Sequence, residues 1–358
     1  MKKISSAILL TTFFVFINCK SQVADKDDPT NKFYQSVIQL GNGFLDVFTS
    51  FGGLGAEAFG FKSDPKKSDV KTYFTTVAAK LEKTKTDLNS LPKEKSDISS
   101  TTGKPDSTGS VGTAVEEAIK EVSELLDKLV TAVKTAEGAS SGTAAIGEVV
   151  DDAGAAKAAD KASVTGIAKG IKEIVEAAGG SEKLKAVAAA KGGNEKAGKL
   201  FGKAGASANG DSEAASKAAG AVSAVSGEQI LSAIVKAAGA AAGDQEGKKP
   251  EEAKNPIAAA IGNKNGDAEF GNEMKKDDQI AAAIAFRGMA KDGKFAVKNN
   301  EKKKAEGAIK GAGEYTVRKV LGAITGLIGN PVGPGLKKVG DSVKAASKET
   351  PPALNKCL

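Results

Sequence analysis

Ile280-Ala281-Ala282-Ala283-Ile284-Ala285-Phe286 is apolar at every position, so a helix through it has no polar face to turn toward water. Such a helix is buried on several sides, which requires other elements around it. Its flanks are polar, with Met274-Lys275-Lys276-Asp277-Asp278-Gln279 before it and Arg287-Gly288-Met289-Ala290-Lys291-Asp292-Gly293-Lys294 after it. The pattern predicts a core helix over 277–291 with Ile280, Ile284 and Phe286 in the interior.

The surrounding chain supplies partners of the same kind. Apolar residues make up 41% of the 358, but aromatics are only 5%, Trp is absent and Gly numbers 42. Ala, Val, Ile and Leu carry the hydrophobicity, which predicts an all-α, multi-helix protein with thin, alanine-lined packing. Heptad-like stripes mark its main helices. Phe33, Val37, Leu40, Phe44, Val47, Phe48 and Phe51 follow a cap at Thr30; Val70, Tyr73, Phe74, Val77, Leu81 and Leu88 follow a cap at Ser68; Val115, Ile119, Val122, Leu126, Leu129 and Val133 follow a cap at Thr113. A Ser-, Thr-, Gly- and Pro-rich loop, 92–112, separates the last two.

Beyond residue 137 short helices alternate with loops. The helices are expected at 164–178, closed by Gly179-Gly180, at 181–191, and at 227–242, opened by a Ser226/Gln229 capping box. The loops at 207–212, 243–250 and 262–273 read as exposed connections that need no core contact and so tolerate change. Pro331 and Pro334 then divide a final pair of helices, one holding Ile309, Val317, Val320, Leu321, Ile324 and Ile328 and the other Leu336, Val339 and Val343.

The N-terminus reads as an export signal. Met1-Lys2-Lys3 is cationic, Ile4 to Ile17 is mostly apolar, and Phe16-Ile17-Asn18-Cys19 forms a loose lipobox. Cleavage before Cys19 leaves it as the lipidation site and residues 20–30 as a polar tether. An ordinary secretory signal with an incidental cysteine is the alternative. No later run reaches the roughly 18 apolar residues of a membrane-spanning helix, so lipid on Cys19 is the expected anchor. With Cys19 acylated, Cys357 has no partner for an intramolecular disulfide.

Catalytic and metal chemistry find little support. The chain has no histidine, which removes the usual general base and the commonest zinc ligand. Gly193-Asn194-Glu195-Lys196-Ala197-Gly198-Lys199 begins like a phosphate-binding loop, but Leu200 stands where a magnesium-binding hydroxyl belongs. Asn263, Asn265, Asp267 and Glu269 lack the order of a calcium loop and read as a solvated turn. No enzyme activity and no cofactor are expected. The net charge of +7 is spread among alternating signs, which argues against a nucleic-acid stripe. The densest basic region, Lys298, Lys302, Lys303, Lys304 and Lys310 with Arg318 and Lys319, is a candidate contact for a polyanion such as a host glycosaminoglycan.

Met274 to Lys298, with Phe286 where leucine is expected, resembles the invariable peptide region of the antigenically variable surface lipoproteins of Borrelia, the variable major protein-like and variable large protein family. The signal through Cys19, the phenylalanine-rich helix at 33–51, the loop at 92–112 and the closing Ser342 to Lys356 extend the resemblance over essentially the whole chain. Cys357-Leu358 lies beyond the ending expected for the family. Glu116-Glu117-Ala118-Ile119-Lys120 is echoed by Glu306-Gly307-Ala308-Ile309-Lys310, and the two resemble the borders of the family's recombining cassette.

The resemblance implies an outer-membrane lipoprotein that evades host antibody by antigenic variation. Its expected parts are a signal (1–18), a lipidated tether (19–30), a constant helical part (31–115), a variable cassette (116–310), constant C-terminal helices (311–347) and a polar tail (348–358). The implied bundle keeps both chain ends near the membrane and long variable loops at the far end. A surface adhesin for glycosaminoglycans is the competing reading, and a weak homodimer is a further expectation.

Overall fold

In the computed structural model the described residues are 64–89, 108–152, 158–240, 245–263 and 265–348. The signal, Cys19, the 33–51 helix, Cys357 and most of the 92–112 loop lie outside them. The regular elements of the described chain are helices apart from β1 (Val149–Val150) and β2 (Phe295–Ala296), which pair in parallel with Val149 opposite Phe295.

Two long helices follow the stripes read from the sequence. Helix α1 (Lys67–Asn89) buries Val70, Tyr73, Phe74, Val77, Leu81 and Leu88. It begins one residue before the expected cap, because the Asp69 carboxylate reaches back to accept from the Lys66 amide (2.9 Å), so Ser68 lies inside the helix. Helix α2 (Thr108–Ala139) also starts before its expected cap, drawing the end of the 92–112 segment into helix; the weak propensities of Thr108, Gly109 and Ser110 are overridden. The two run antiparallel, joined by Thr75 to Glu137 (2.8 Å), Lys134 to Glu82 (2.5 Å) and Lys85 to Asp127.

Helix α3 (Lys161–Ala177) is capped by Asp160, which accepts from the Ser163 amide, and closes at Gly179, whose φ of +65° favours glycine. It crosses α2 without intervening side chains: a Cβ on Gly170 would lie 2.4 Å from the Ala136 nitrogen. Helix α4 (Ser181–Lys185) is shorter than expected. The chain leaves it so that Gly192 can bridge to Lys276 and the Lys191 carbonyl can accept from the Asp277 amide (2.8 Å).

A 3-10 helix (Glu195–Phe201) leads to α5 (Ser212–Ala224), capped by Asp211, and to α6 (Gly227–Ala240), at 102° to α5. The capping box at α6 forms as read: Ser226 Oγ accepts from the Gln229 amide (3.2 Å) and Gln229 Oε1 from the Ser226 amide (2.8 Å). Helix α7 (Pro256–Ile261) starts at an Asn255 cap with proline in its first turn, and is wholly buried. After a 3-10 turn (Asn272–Met274) comes α8 (Asp277–Met289), and then α9 (Lys302–Lys348). The expected break at Pro331 and Pro334 is absent. Helix α9 runs through both prolines, with Ile328, Val332, Leu336 and Val339 buried on either side of them, so packing of a continuous apolar face outweighs the lost backbone bonds. Among the described residues no single helix is long and apolar enough to cross a membrane.

The bundle has two ends. Lys338 pairs with Glu121 and a Cβ on Gly335 would meet Val122, while Gly147 abuts Lys310. Helix α9 therefore runs antiparallel to α2, with its N-terminus at the end where the loops gather and Lys348 at the other. Asp64 pairs with Lys310 at the loop end.

Candidate functional site

Helix α8 is the hub of the molecule. It packs against α1, α3, α5, α6, α7 and α9, and every residue of it except Gln279 is buried. Ile280, Ile284 and Phe286 are among them. Alanines at 281, 282, 283 and 285 let the neighbouring helices approach from all sides, and Thr316 of α9 donates to the Ala281 carbonyl (3.3 Å). At its N-terminus Asp277 accepts from the Asn194 amide group (2.8 Å); burial holds its carboxyl above the usual range.

Two buried cations sit at the other end of α8. Lys67 Nζ donates to the carbonyls of Arg287 and, at 3.3 Å, Gly288, closing the α8 C-terminus from α1. Burial, with the neighbouring Arg287 charge, pushes its amine down to about 7. The Arg287 guanidinium is fully enclosed and donates to Ala260 O (3.0 Å), Lys294 O (2.7 Å) and Phe201 O (2.7 Å), 4.6 Å above the Phe201 ring. Burial lowers it to about 9, still charged at neutral pH. The sequence offered only Arg287's place at the edge of an apolar run, which does not distinguish a buried arginine from a helix-end surface charge.

The loops above this end are not loosely attached. Phe270 is buried against Phe201, whose ring also meets Phe295 edge-on. The Lys203 amide donates to Gly266 O (2.7 Å), and the Phe270 amide to Glu195 O (2.9 Å). A Cβ on Gly202 would fall 1.6 Å from Gly266 O, and one on Gly247 2.0 Å from Gly262 O. The expectation that 207–212, 243–250 and 262–273 need no core contact is thus corrected: Ser207, Asn209, Glu246, Lys248 and Asn265 face solvent, while the glycines between them hold backbone against backbone.

The remaining motifs serve structure. Gly198 packs against the Phe270 backbone inside the 3-10 helix, which leaves no cradle for phosphate. Asp267 and Glu269 turn to Lys203 (3.4 Å) and Lys199 (3.3 Å), and no group of metal-ligating side chains occurs among the described residues. Of the basic residues, Lys298 pairs with Asp211 (3.4 Å), Lys304 with Glu301 (2.8 Å) and Lys310 with Asp64 (2.5 Å). Lys302 is half-buried and Lys303 exposed on the first turn of α9, and Lys319 caps α5 through Val222 O and Val225 O. A groove of about 720 Å³ between α2 and α3 is open and lined by charges of both signs, among them Asp127, Lys128, Lys169 and Glu173.

This geometry defines an all-helical scaffold in which one enclosed helix supports a cluster of loops. The chain belongs to the Borrelia lipoprotein family, whose sequence profile matches residues 44–343. It is 35% identical over 350 residues to variable large protein 4 of Borrelia hermsii, covering 98% of this chain and 95% of that one. With variable large protein 17 of the same organism it shares 35% identity over 324 residues, 90% and 87% of the two chains. It is also similar to the crystal structure of the Lyme disease variable surface antigen VlsE of Borrelia burgdorferi, at 82% identity and a TM-score of 0.76, covering 88% of this chain and all of that one.

Proposed function

We propose that this chain is an outer-surface lipoprotein, anchored in the outer membrane through lipid on Cys19, whose exposed loops change by cassette recombination and so defeat host antibody. The observation that carries the reading is the enclosure of α8 beneath the gathered loops, in a chain whose relatives include a variable surface antigen. A helix buried on all sides offers antibody nothing, whereas Ser207, Asn209, Glu246 and Asn265 offer side chains that recombination can replace.

The proposed cassette borders support this division. Glu116 to Lys120 lies within α2 and Glu306 to Lys310 within α9, at opposite ends of the bundle. Exchange between matching helical turns preserves helix register at both junctions, so segment 116–310 can be replaced while 31–115 and 311–347 stay constant. The C-terminus of α9 points away from the loops.

The test is exchange of the exposed loop residues for those of another variant of the same gene. Serum raised against the intact folded protein should follow the loops and lose the parent scaffold. Serum that binds both loop sets equally would contradict the reading.

A further inference from the structure

Among the described residues Arg287 meets no carboxylate in its enclosure; its acceptors there are three main-chain carbonyls from three separate stretches of chain. Phe201 O ends the 3-10 helix 195–201 and Ala260 O lies in the last turn of α7, so both sit at the negative ends of helical dipoles, where a cation is favoured. Lys294 O immediately precedes β2. Each carbonyl is the root of a loop segment: 202–211 after Phe201, 262–271 after Ala260, and 290–298 around Lys294.

Above the arginine the same segments lock to one another. Gly266 O accepts from Lys203, Val297 O accepts from Gly205 (3.1 Å), and Gly210 O accepts from Lys298 (2.9 Å). A Cβ on Gly210 would lie 2.2 Å from Ala296 O, and one on Gly262 2.3 Å from Arg287 Nη2 itself. The planar guanidinium suits this task because it sends fixed donors in three directions; a lysine ammonium is a single point on a flexible stem.

We propose that Arg287 is the positioning residue of the loop surface: one buried guanidinium sets the register of segments 202–211, 262–271 and 290–298, which therefore hold and loosen as one unit. Variation of the surface is then confined to side chains lying between fixed backbone contacts, and replacement of a contact glycine disturbs all three segments together. This concerns how the loops are held and stands independently of what recognises them.

Hydrogen exchange of the full chain, read by mass spectrometry, tests it with Arg287→Met, Arg287→Lys and Gly202→Ala. Arg287→Met should speed exchange at least tenfold in all three segments while α1 and α2 keep their protection, and Arg287→Lys should fail to restore it. Gly202→Ala, which keeps the arginine but forces Gly202 from Gly266, should loosen the same three segments; it decides the matter if Arg287→Met does not fold. Loosening of one segment alone in a folded variant, an equal loss throughout the molecule in Gly202→Ala, or full rescue by lysine would overturn the proposal.

Discussion

Lys67 shows how much one side chain can matter here. Its amine is buried from water and stands at about 7, against roughly 10.4 in an unfolded chain. The folded state disfavours the protonated form, so the penalty is fully present below pH 7 and is relieved as pH rises toward 10.5. Between these values the unfolded chain holds more protons than the folded one, and stability increases with pH. The contribution from pH 7 to 9 should be about 2 kcal/mol. Denaturant midpoints of the parent and Lys67→Met at both pH values check this: the parent should gain more than the variant, and equal gains would remove Lys67 as the source. Cys19 makes a different single-residue prediction, since it is the proposed anchor. Processed Cys19→Ala protein should move from the detergent phase to the aqueous phase on partitioning, and continued retention by detergent would place the anchor elsewhere.

At the scale of helices, glycine has opposite effects by location. Gly170 sits where α3 meets α2, and a methyl there would press on the Ala136 backbone; Gly322 of α9 has nothing within 4 Å. Alanine favours helix over glycine by about 1 kcal/mol at either site. Gly322→Ala should therefore stabilise by roughly 0.5–1 kcal/mol, while Gly170→Ala should destabilise by about 1–3 kcal/mol as the helices are forced apart. Thermal unfolding of the two variants reads the signs directly. The same contrast explains which elements were legible in the sequence. Helices α1, α2, α3, α6 and α8 carry large apolar residues at helical spacing or an explicit cap. Helix α5 gives no such signal because its buried face is Ala214, Ala215, Ala218, Ala221 and Val222, too small to stand out from a chain rich in alanine. Helix α7 is only six residues long, although Asn255-Pro256 and Gly262 were usable start and stop signals. The two prolines misled because local chemistry predicts a break that tertiary packing overrides. Arg287 and the glycine contacts were illegible for a related reason: their partners are distant in sequence and are backbone atoms, which leave no pattern of residue types.

Over the whole molecule, the packed core and the exposed loop side chains are separated along the bundle. Large apolar side chains of α1, α2, α3 and α9 fill the shaft, alanine-rich helices surround α8, and loops close one end over it. Exposed side chains on such loops contribute within about 0.5 kcal/mol, so many can change without unfolding the scaffold. The contact glycines and Arg287 limit that freedom to side chains and protect the loop frame. The central claim is that this arrangement hides α8 from antibody on the living surface. Binding of an antibody raised against Met274 to Lys298 should be measured on intact cells and on the same protein after denaturation. The account predicts strong binding to the unfolded chain and little to intact cells; comparable binding to both would contradict it.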